Sequence, residues 1–258
     1  MELFNLQART AVIVGPTGVL ASRMVHGLAA AGASLALVGR DRGRLDALAE
    51  QVGARTFLAD ATDPAALRRV AEQVGRVDIL VNAVGGNRPL ANATAHTPFD
   101  TIPAAALREV VDLNLMAGAI LPSQAFAEAL SAQGGVIVNL TSMAADRPLT
   151  RVLGYAAAKA AVANFTRWLA VELAPRQVRV NAIAPGFFLG EQNRALLVDE
   201  TGTLTDRGRR IIEHTPMARF GDPDDLVGTL LWLCSDASRF VTGIVVPVDG
   251  GFSAYAGV

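Results

Sequence analysis

Short apolar runs alternate with amphipathic stretches along the 258 residues of the chain, and this alternation constrains the fold more than any other feature. Runs such as SLALVG, VDILVN and GVIVNL are apolar throughout, as expected of strands that are covered on both faces. Strands that alternate with helices form parallel sheets through βαβ units. The sequence therefore predicts an α/β protein with a parallel sheet of about seven strands flanked by helices.

The element boundaries follow from the same pattern. Predicted strands lie near residues 9–14, 34–39, 54–59, 77–82, 135–141, 178–183 and 243–248. Predicted helices lie near residues 19–31, 42–51, 63–74, 103–131, 155–173 and 223–236. No linker or shift in composition divides the chain, so we expect one domain over residues 1–258. The largest irregular stretch is 186–221, and an excursion of this length is more often a binding loop or lid than filler.

The composition and net charge of the chain argue against several classes of binding partner. The formal net charge of −1 gives no electrostatic case for nucleic acid or an anionic membrane. No apolar run approaches the roughly 20 residues of a membrane span, and the start MELFNLQART lacks the order of a signal peptide. A single cysteine, Cys234, excludes an internal disulfide, and three scattered histidines disfavour a structural zinc site. We expect a cytoplasmic protein that binds a small molecule, with no metal, nucleic acid or membrane partner.

A glycine-containing turn follows the first predicted strand. In VGPTGVLA, Gly15, Gly18 and Ala21 have the spacing G-x-x-G-x-x-A, a variant of the dinucleotide-binding fingerprint, which tolerates alanine at the last position. A strand, a tight turn and a helix N-terminus together bind anions, because backbone N–H groups and the helix dipole point at the ligand. The same turn can also be purely structural, so the motif alone is a weak signal.

The ends of the next strands carry residues that suit the rest of a dinucleotide. Gly39 stands where an acidic residue would select NAD, and Arg40 follows, where it can pair with a 2′-phosphate and favour NADP or remain a solvated cation. Asp60 ends the third strand and can hold an adenine amino group or cap the next helix. Gly85 and Gly86 follow the fourth strand and permit close approach of backbone to a ribose, or form a turn.

The distribution of lysine and tyrosine points to chemistry. Of the 23 basic residues only Lys159 is a lysine, and it follows Tyr155, one of two tyrosines, by one helical turn in YAAAK. Both side chains therefore share a helix face. A tyrosine is a poor base at neutral pH, and a nearby ammonium is expected to lower its pKa. We interpret the pair as an acid–base unit.

Two further polar residues precede this pair. Ser142 lies just past the fifth strand in NLTSM, where its hydroxyl can hold a substrate carbonyl or cap the loop. Asn114 lies within the apolar helix sequence VVDLNLM, where it can hold a water that passes protons to Lys159 or simply accompany a helix kink.

Together these motifs resemble the short-chain dehydrogenase/reductase family. The resemblance covers essentially the whole chain, through VGPTGVLA, VNAVG, TS, YAAAK, RVNAIAPG and VPVDGG. It implies a Rossmann-type doubly wound sheet, a nicotinamide cofactor and reversible hydride transfer between carbonyl and alcohol. The catalytic residues it implies are Asn114, Ser142, Tyr155 and Lys159. The cofactor-binding residues it implies are Gly15, Thr17, Gly18, Val19, Leu20, Arg40, Asp60, Ala61, Asn82, Ala83, Gly85, Tyr155, Lys159, Pro185, Gly186 and Phe188. Because of Arg40 we expect NADP(H) rather than NAD(H).

Three residues depart from the family pattern. Val14 replaces the usual threonine of the first loop, Ala83 replaces the second asparagine of NNAG, and Gly190 replaces the threonine that touches the nicotinamide carboxamide. The departures predict a weaker grip on the cofactor, or one supplied by backbone, but they remove no reacting group.

A narrower resemblance bears on the substrate. The segments GGNRP, PGFFLGEQNR, DETGTLTDRG and HTPMARFG are similar to the D-mannonate oxidoreductases (fructuronate reductases) of the short-chain type and to the gluconate 5-dehydrogenase-like subgroup, which implies a sugar acid. Polar side chains suited to a polyol acid are present at candidate positions, and Arg147 can form a bidentate pair with a carboxylate, although arginine is the default cation of this protein. The candidate substrate residues are Asn87, Arg88, Met143, Arg147, Gln192, Asn193, Arg194 and His214.

Alternatives remain at this point. The protein can be a reductase of another small ketone, or resemble the sugar-nucleotide epimerases and dehydratases, which share the Tyr and Lys but need an added substrate domain. A cofactor-sensing regulator without catalysis predicts a damaged Tyr/Lys pair, whereas this pair is intact. By analogy with the family we expect a homo-oligomer, a tetramer or dimer, with subunit contacts through helices 103–131 and 155–173.

Overall fold

A parallel sheet of seven strands forms the centre of the molecule. The computed structural model describes residues 2–94, 96–132, 134–190 and 194–257. The strands are β1 Thr10–Val14, β2 Ser34–Gly39, β3 Arg55–Leu58, β4 Ile79–Asn82, β5 Gly135–Leu140, β6 Val178–Pro185 and β7 Val245–Val248. Their order is β3-β2-β1-β4-β5-β6-β7 and every pair is parallel. The predicted fold class is confirmed.

Helices connect the strands. They are α1 Val19–Ala30, α2 Arg42–Val52, α3 Pro64–Val74, α4 Ala104–Val111, α5 Leu121–Ser131, α6 Leu153–Leu173, α7 Arg194–Leu197, α8 Asp206–Glu213 and α9 Val227–Cys234. Within the described ranges, no helix is long and apolar enough to cross a bilayer, and no three potential metal ligands lie together.

Two apolar layers cover the sheet. Ile13 of β1 faces one layer, formed with α1, α2 and α9, while the adjacent Val12 faces the other, formed with α3, α5 and α6. Because successive strand residues point to opposite faces, a sheet covered on both sides needs apolar residues at every position. This requirement explains the uninterrupted apolar runs of the sequence.

The helix predicted over 103–131 is interrupted by a wider turn. A π-helical segment, Asp112–Ile120, separates α4 from α5. The side-chain amide of Asn114 donates to the Val110 carbonyl at 2.8 Å, which is the acceptor that an α-helix would pair with the backbone N–H of residue 114. Short π segments of this kind are often found at functional sites.

The expectation of an irregular stretch over 186–221 was wrong. The segment contains α7 and α8, with a bridge between Val198 and Leu204. Its helices were missed because both are short and α8 is dominated by charged residues, with Ile211 and Ile212 as its only aliphatic residues, although Thr205 caps it by accepting from the N–H of Gly208 at 3.1 Å. Leu197, Val198 and Ile211 form a small apolar cluster that holds the segment together.

Candidate active site

A cavity of about 370 Å³ lies where the carboxyl ends of the central strands meet. It is lined by Thr17, Gly18, Val19, Leu20, Ala21, Arg44, Ala83, Val84, Gly85, Gly86, Leu140, Thr141, Ser142, Tyr155, Lys159, Pro185, Gly186, Phe187, Phe188, Leu189 and Gly190. In open α/β sheets, ligands bind at this edge, where the strand order reverses. Here β1 and β4 are the adjacent strands at which the order reverses.

The first loop forms one end of the cavity. Gly15 has φ +81°, and a Cβ there would lie 2.7 Å from Val84 Cγ2, so only glycine fits. A Cβ on Gly18 would meet nothing within 4 Å, which leaves open space over the start of α1. Asp41 and Asp63 cap α2 and α3 with carboxylates, whereas α1 begins without a side-chain cap among the described residues. The first N–H groups of α1 are therefore available to an anionic ligand.

Tyr155, Ser142 and Lys159 form the opposite end. Lys159 is 3% exposed, and its Nζ donates to the Leu140 carbonyl at 2.8 Å. The hydroxyl of Thr141 donates to the Lys159 carbonyl at 2.8 Å, which ties α6 to the end of β5. Nζ lies 5.8 Å from the centre of the Tyr155 ring, and the Tyr155 hydroxyl is hydrogen-bonded to Ser142.

Burial governs the ionisation of this pair. It lowers the pKa of Lys159 to about 8 and raises the pKa of Tyr155, an effect that the hydrogen bond with Ser142 partly opposes. The expectation that the ammonium lowers the pKa of Tyr155 is therefore wrong for the protein without ligand. The reason is burial, which penalises the charged phenolate and outweighs the opposing effect of Ser142.

Asn114 is buried next to this group. Its side-chain oxygen accepts from the N–H of Gly86 at 3.1 Å, and its amide donates to the Gly86 carbonyl at 2.6 Å. A Cβ on Gly85 would lie 2.8 Å from Asn114 Oδ1 and 3.1 Å from Lys159 Nζ. The glycine therefore allows Asn114 and Lys159 to approach the same backbone. The structure places three of the four predicted catalytic residues, Ser142, Tyr155 and Lys159, on the cavity lining, and places Asn114 behind the lining in contact with Gly86.

The residues predicted for the adenosine end lie outside the cavity lining. Arg40 Nη1 is 3.9 Å from Asp60 Oδ2, and both side chains are exposed. The backbone N–H and the hydroxyl of Thr62 both donate to Asp60 Oδ1, at 2.9 and 2.7 Å, and these bonds, with a smaller contribution from Arg40, lower the pKa of Asp60. Arg44, which the sequence analysis missed, lines the cavity beside the start of α1, with its Nε 3.6 Å from Asp41.

Asn82 lies behind the lining rather than on it. It is buried, and its amide donates to Ser123 Oγ at 3.1 Å and to Asn139 Oδ1 at 2.8 Å. Its own oxygen has no hydrogen-bond partner among the described residues. The side chain joins the ends of β4 and β5 to α5 and so supports the strand end that leads into Ala83. Ala61 is also buried away from the lining.

The candidate substrate residues of the described ranges do not line the cavity. The amide of Asn87 donates to Asn92 Oδ1 at 2.7 Å, and Arg88 lies 3.8 Å from Glu109. Met143 is buried.

The other candidates lie further along the sequence. Arg147 Nε donates to the Ser253 carbonyl at 2.9 Å, Arg194 opens α7, and His214 contacts the ring of Tyr255. Gln192 and Asn193 lie outside the described residues. Phe187 and Leu189 do line the cavity, and their place after the Pro185–Gly186 turn was the signal that could have found them.

Comparison with known proteins identifies the family. Residues 18–253 match a family model described as enoyl-(acyl carrier protein) reductase. The chain belongs to the short-chain dehydrogenase/reductase family and is an NAD(P)-dependent oxidoreductase.

Similar proteins cover almost the whole sequence. An uncharacterized oxidoreductase, UxuB, of Bacillus subtilis (strain 168) is 45% identical over 98% of both chains. A structure described as a D-mannonate oxidoreductase from Haemophilus influenza, with bound NAD, has a TM-score of 0.92 at 39% identity over 98% of both chains. A gluconate 5-dehydrogenase from Burkholderia cenocepacia J2315, in complex with NADP and tartrate, has a TM-score of 0.88 at 30% identity over 99% of both chains.

Proposed function

We propose that the protein reduces the keto group of a sugar acid of the fructuronate type, and oxidises the matching secondary alcohol of the mannonate type, with NADP(H) as the preferred cofactor. The observation that carries this proposal is the cavity itself. One end is the uncapped start of α1, and the other holds Tyr155, Ser142 and Lys159.

The residues of the cavity fit the cofactor. The open space at Gly18 and the free N–H groups of α1 suit the pyrophosphate, while the segments 83–86 and 185–190 border the route to Tyr155. Arg40, at the end of β2, has a mostly exposed guanidinium that can pair with a 2′-phosphate. When bound, the cofactor supplies or accepts the hydride.

The protein's own residues supply orientation and protons. The hydroxyls of Ser142 and Tyr155 hold the keto oxygen, and Tyr155 donates its proton to that oxygen as the alcohol forms. Lys159 returns a proton to Tyr155 and is resupplied through a water held at Asn114. Lys159 suits this relay because its pKa of about 8 lies near neutral pH.

The substrate class rests on the relatives. Two of the similar structures are described as sugar-acid enzymes, a D-mannonate oxidoreductase and a gluconate 5-dehydrogenase. We further propose a homo-oligomer with contacts through α6, on which Trp168 and Val171 are 59% and 77% exposed. Sedimentation of the purified protein measures this directly, and a monomer would contradict it.

A spectrophotometric screen tests the function. Sugar acids and simple ketones are offered with NADPH and with NADH, to wild type and to two variants. Tyr155→Phe should keep cofactor binding but lose about 10²–10⁴ in turnover, because the proton donor is gone. Tyr255→Phe is the matched control, since Tyr255 is the only other tyrosine and does not line the cavity.

The same assay tests the cofactor preference. Arg40→Ala should raise the KM for NADPH by about tenfold or more, as expected for loss of a charge-assisted hydrogen bond, and leave the KM for NADH unchanged. Near-normal turnover by Tyr155→Phe would refute the catalytic assignment, and equal effects of Arg40→Ala on both cofactors would refute the preference. Tight retention of cofactor without net turnover of any substrate would refute the reductase function as a whole.

A further inference from the structure

Residues near the C-terminus form a compact structure at the end of β7. In this segment, Asp249–Tyr255, which we term the C-terminal turn, the carboxylate of Asp249 accepts from the N–H groups of Gly251 and Ser253, both at 2.9 Å. Gly250 and Gly251 have left-handed backbones, with φ of +63° and +89°. Local bonds and backbone geometry therefore fix the direction in which the following side chains leave the turn.

The C-terminal turn contacts three separate segments around the site. These contacts are an edge-to-face packing of Phe252 on Phe187 with ring centres 5.2 Å apart, a hydrogen bond of 2.9 Å from Arg147 Nε to the Ser253 carbonyl, and a contact of Tyr255 with His214 at 6.3 Å. The segments are the cavity wall after β6, the loop after Ser142 and the end of α8. None of the three contacts involves the first loop or α1.

The wall after β6 borders a second cavity on its other side. Phe187 and Phe188 line the main cavity and also a second one, of about 150 Å³, which is bounded by Asp249 and Gly250 as well. A ring beside empty space lacks the close packing that normally fixes a side chain. The position of Phe187 therefore depends on the ring of Phe252 and on the apolar cluster of the α7–α8 segment.

The position of the loop after Ser142 also depends on the C-terminal turn. Its first turn is set locally, because Ser142 Oγ accepts from the N–H of Ala144 at 3.1 Å. Five residues after Ser142, Arg147 anchors the loop through its bond to the C-terminal turn. That bond uses Nε–H, one of the five N–H donors of the guanidinium, to hold the loop against the backbone of the C-terminal turn.

We propose that the C-terminal turn is a positioning element for the carbonyl substrate, with Phe252 and Arg147 as its positioning residues. The proposal rests on the reductase function proposed above. The turn sets Phe187 and the loop after Ser142 at the same time, so its loss misplaces the substrate against Tyr155 and Ser142. The cofactor end of the cavity keeps its own support at Gly15 and α1.

Steady-state kinetics of Phe252→Ala and Arg147→Ala test this proposal, with one sugar acid and one neutral polyhydroxy ketone as substrates. The KM should rise about tenfold for both substrates in both variants, kcat should change less, and the Kd of NADPH, measured by fluorescence, should stay unchanged. Arg68→Ala, exposed on α3 and far along the sequence from the turn, is the control that should match wild type. Phe252→Leu replaces Phe252→Ala if the latter does not fold.

The other possible outcomes would each overturn a named part of the proposals. An Arg147→Ala effect confined to the sugar acid would make Arg147 a carboxylate contact and overturn its positioning role. An unchanged KM in both variants, or a Kd for NADPH that weakens in parallel with KM, would overturn the proposal. If wild type reduces the neutral ketone but no sugar acid, the proposed substrate class fails, and the positioning role is still decided on the neutral substrate.

Discussion

At the scale of single residues, the burial of Lys159 opposes the charge state that its proposed role requires. The only lysine of the sequence is 3% exposed, and burial lowers its pKa from 10.5 to about 8. Folding favours the neutral amine. Keeping Lys159 protonated, as a proton relay requires, therefore costs about 3 kcal/mol of folding free energy. The bond to the Leu140 carbonyl keeps Nζ at the site despite this cost.

This cost predicts a pH dependence of stability. Below about pH 8 both folded and unfolded lysine hold the proton and the cost is present in full, while between about pH 8 and 10.5 the folded protein alone releases it. Stability relative to Lys159→Met should therefore rise by about 2–3 kcal/mol between pH 7 and pH 10. Urea unfolding of both proteins at pH 7 and pH 10 measures this change. The bond to the Leu140 carbonyl is missing from Lys159→Met at both pH values, so its loss does not contribute to the change. An equal difference at both pH values would contradict a buried, titrating lysine.

At the scale of elements, the helical region from α4 to α5 is shaped by one close approach. A Cβ on Gly118 would lie 2.6 Å from the Val84 carbonyl and 3.1 Å from that of Leu113. The π-helical segment can therefore rest directly against the backbone that follows β4. This contact brings Asn114, on the same segment, within hydrogen-bond distance of Gly86.

Two glycine-to-alanine variants distinguish the steric effect of this contact from the effect of alanine's higher helix propensity. Gly118→Ala should lower the free energy of unfolding by about 1–3 kcal/mol, because its methyl group meets backbone that cannot move aside. Gly228→Ala, in α9 with nothing within 4 Å of its Cβ, should be neutral or stabilise by about 0.5 kcal/mol. Urea unfolding measures both. The close approach would be disproved if both variants gained stability equally.

At the scale of the whole molecule, the cavity is assembled from residues far apart in the sequence. The loop after β1 forms one end, the end of β5 and α6 form the other, and the segment after β6 forms a wall. A ligand that contacts all of these segments should stabilise the entire fold rather than one part of it. Binding to the folded state alone adds about 2.7 kcal/mol when the ligand is present at 100 times its Kd.

The Gly18→Asp variant tests whether a ligand bound at the start of α1 stabilises the fold. Gly18 has φ −74° and open space at its Cβ, so an aspartate fits and caps the helix as Asp41 and Asp63 cap α2 and α3. Without ligand the melting temperature should stay the same or rise slightly, since aspartate and glycine differ little as N-caps. The increase that NADPH gives to wild type should disappear, because the carboxylate repels the pyrophosphate. Gly18→Ser is the uncharged control, and an undiminished increase in Gly18→Asp would place the pyrophosphate elsewhere.

Much of the site was readable in the sequence because it depends on local spacing. Tyr155 and Lys159 share a helix face at a spacing of four residues, and Gly15 and Gly18 mark a turn between a strand and a helix. Arg44 was missed, since its place on the cavity depends on how α2 packs beside the start of α1. Nothing in the sequence indicated that Arg147 Nε donates to the carbonyl of the distant Ser253.

By itself the sequence predicted the α/β fold and its seven strands, and it singled out Ser142, Tyr155 and Lys159, which line one cavity. Periodicity and short-range spacing set these features, because backbone geometry fixes which neighbouring side chains share a face. Only the tertiary structure decided that burial raises the pKa of Tyr155 and lowers that of Lys159, where the helix widens, and how the C-terminal turn joins three segments around the site. These properties depend on burial and on contacts between residues distant in the sequence, which no local pattern records.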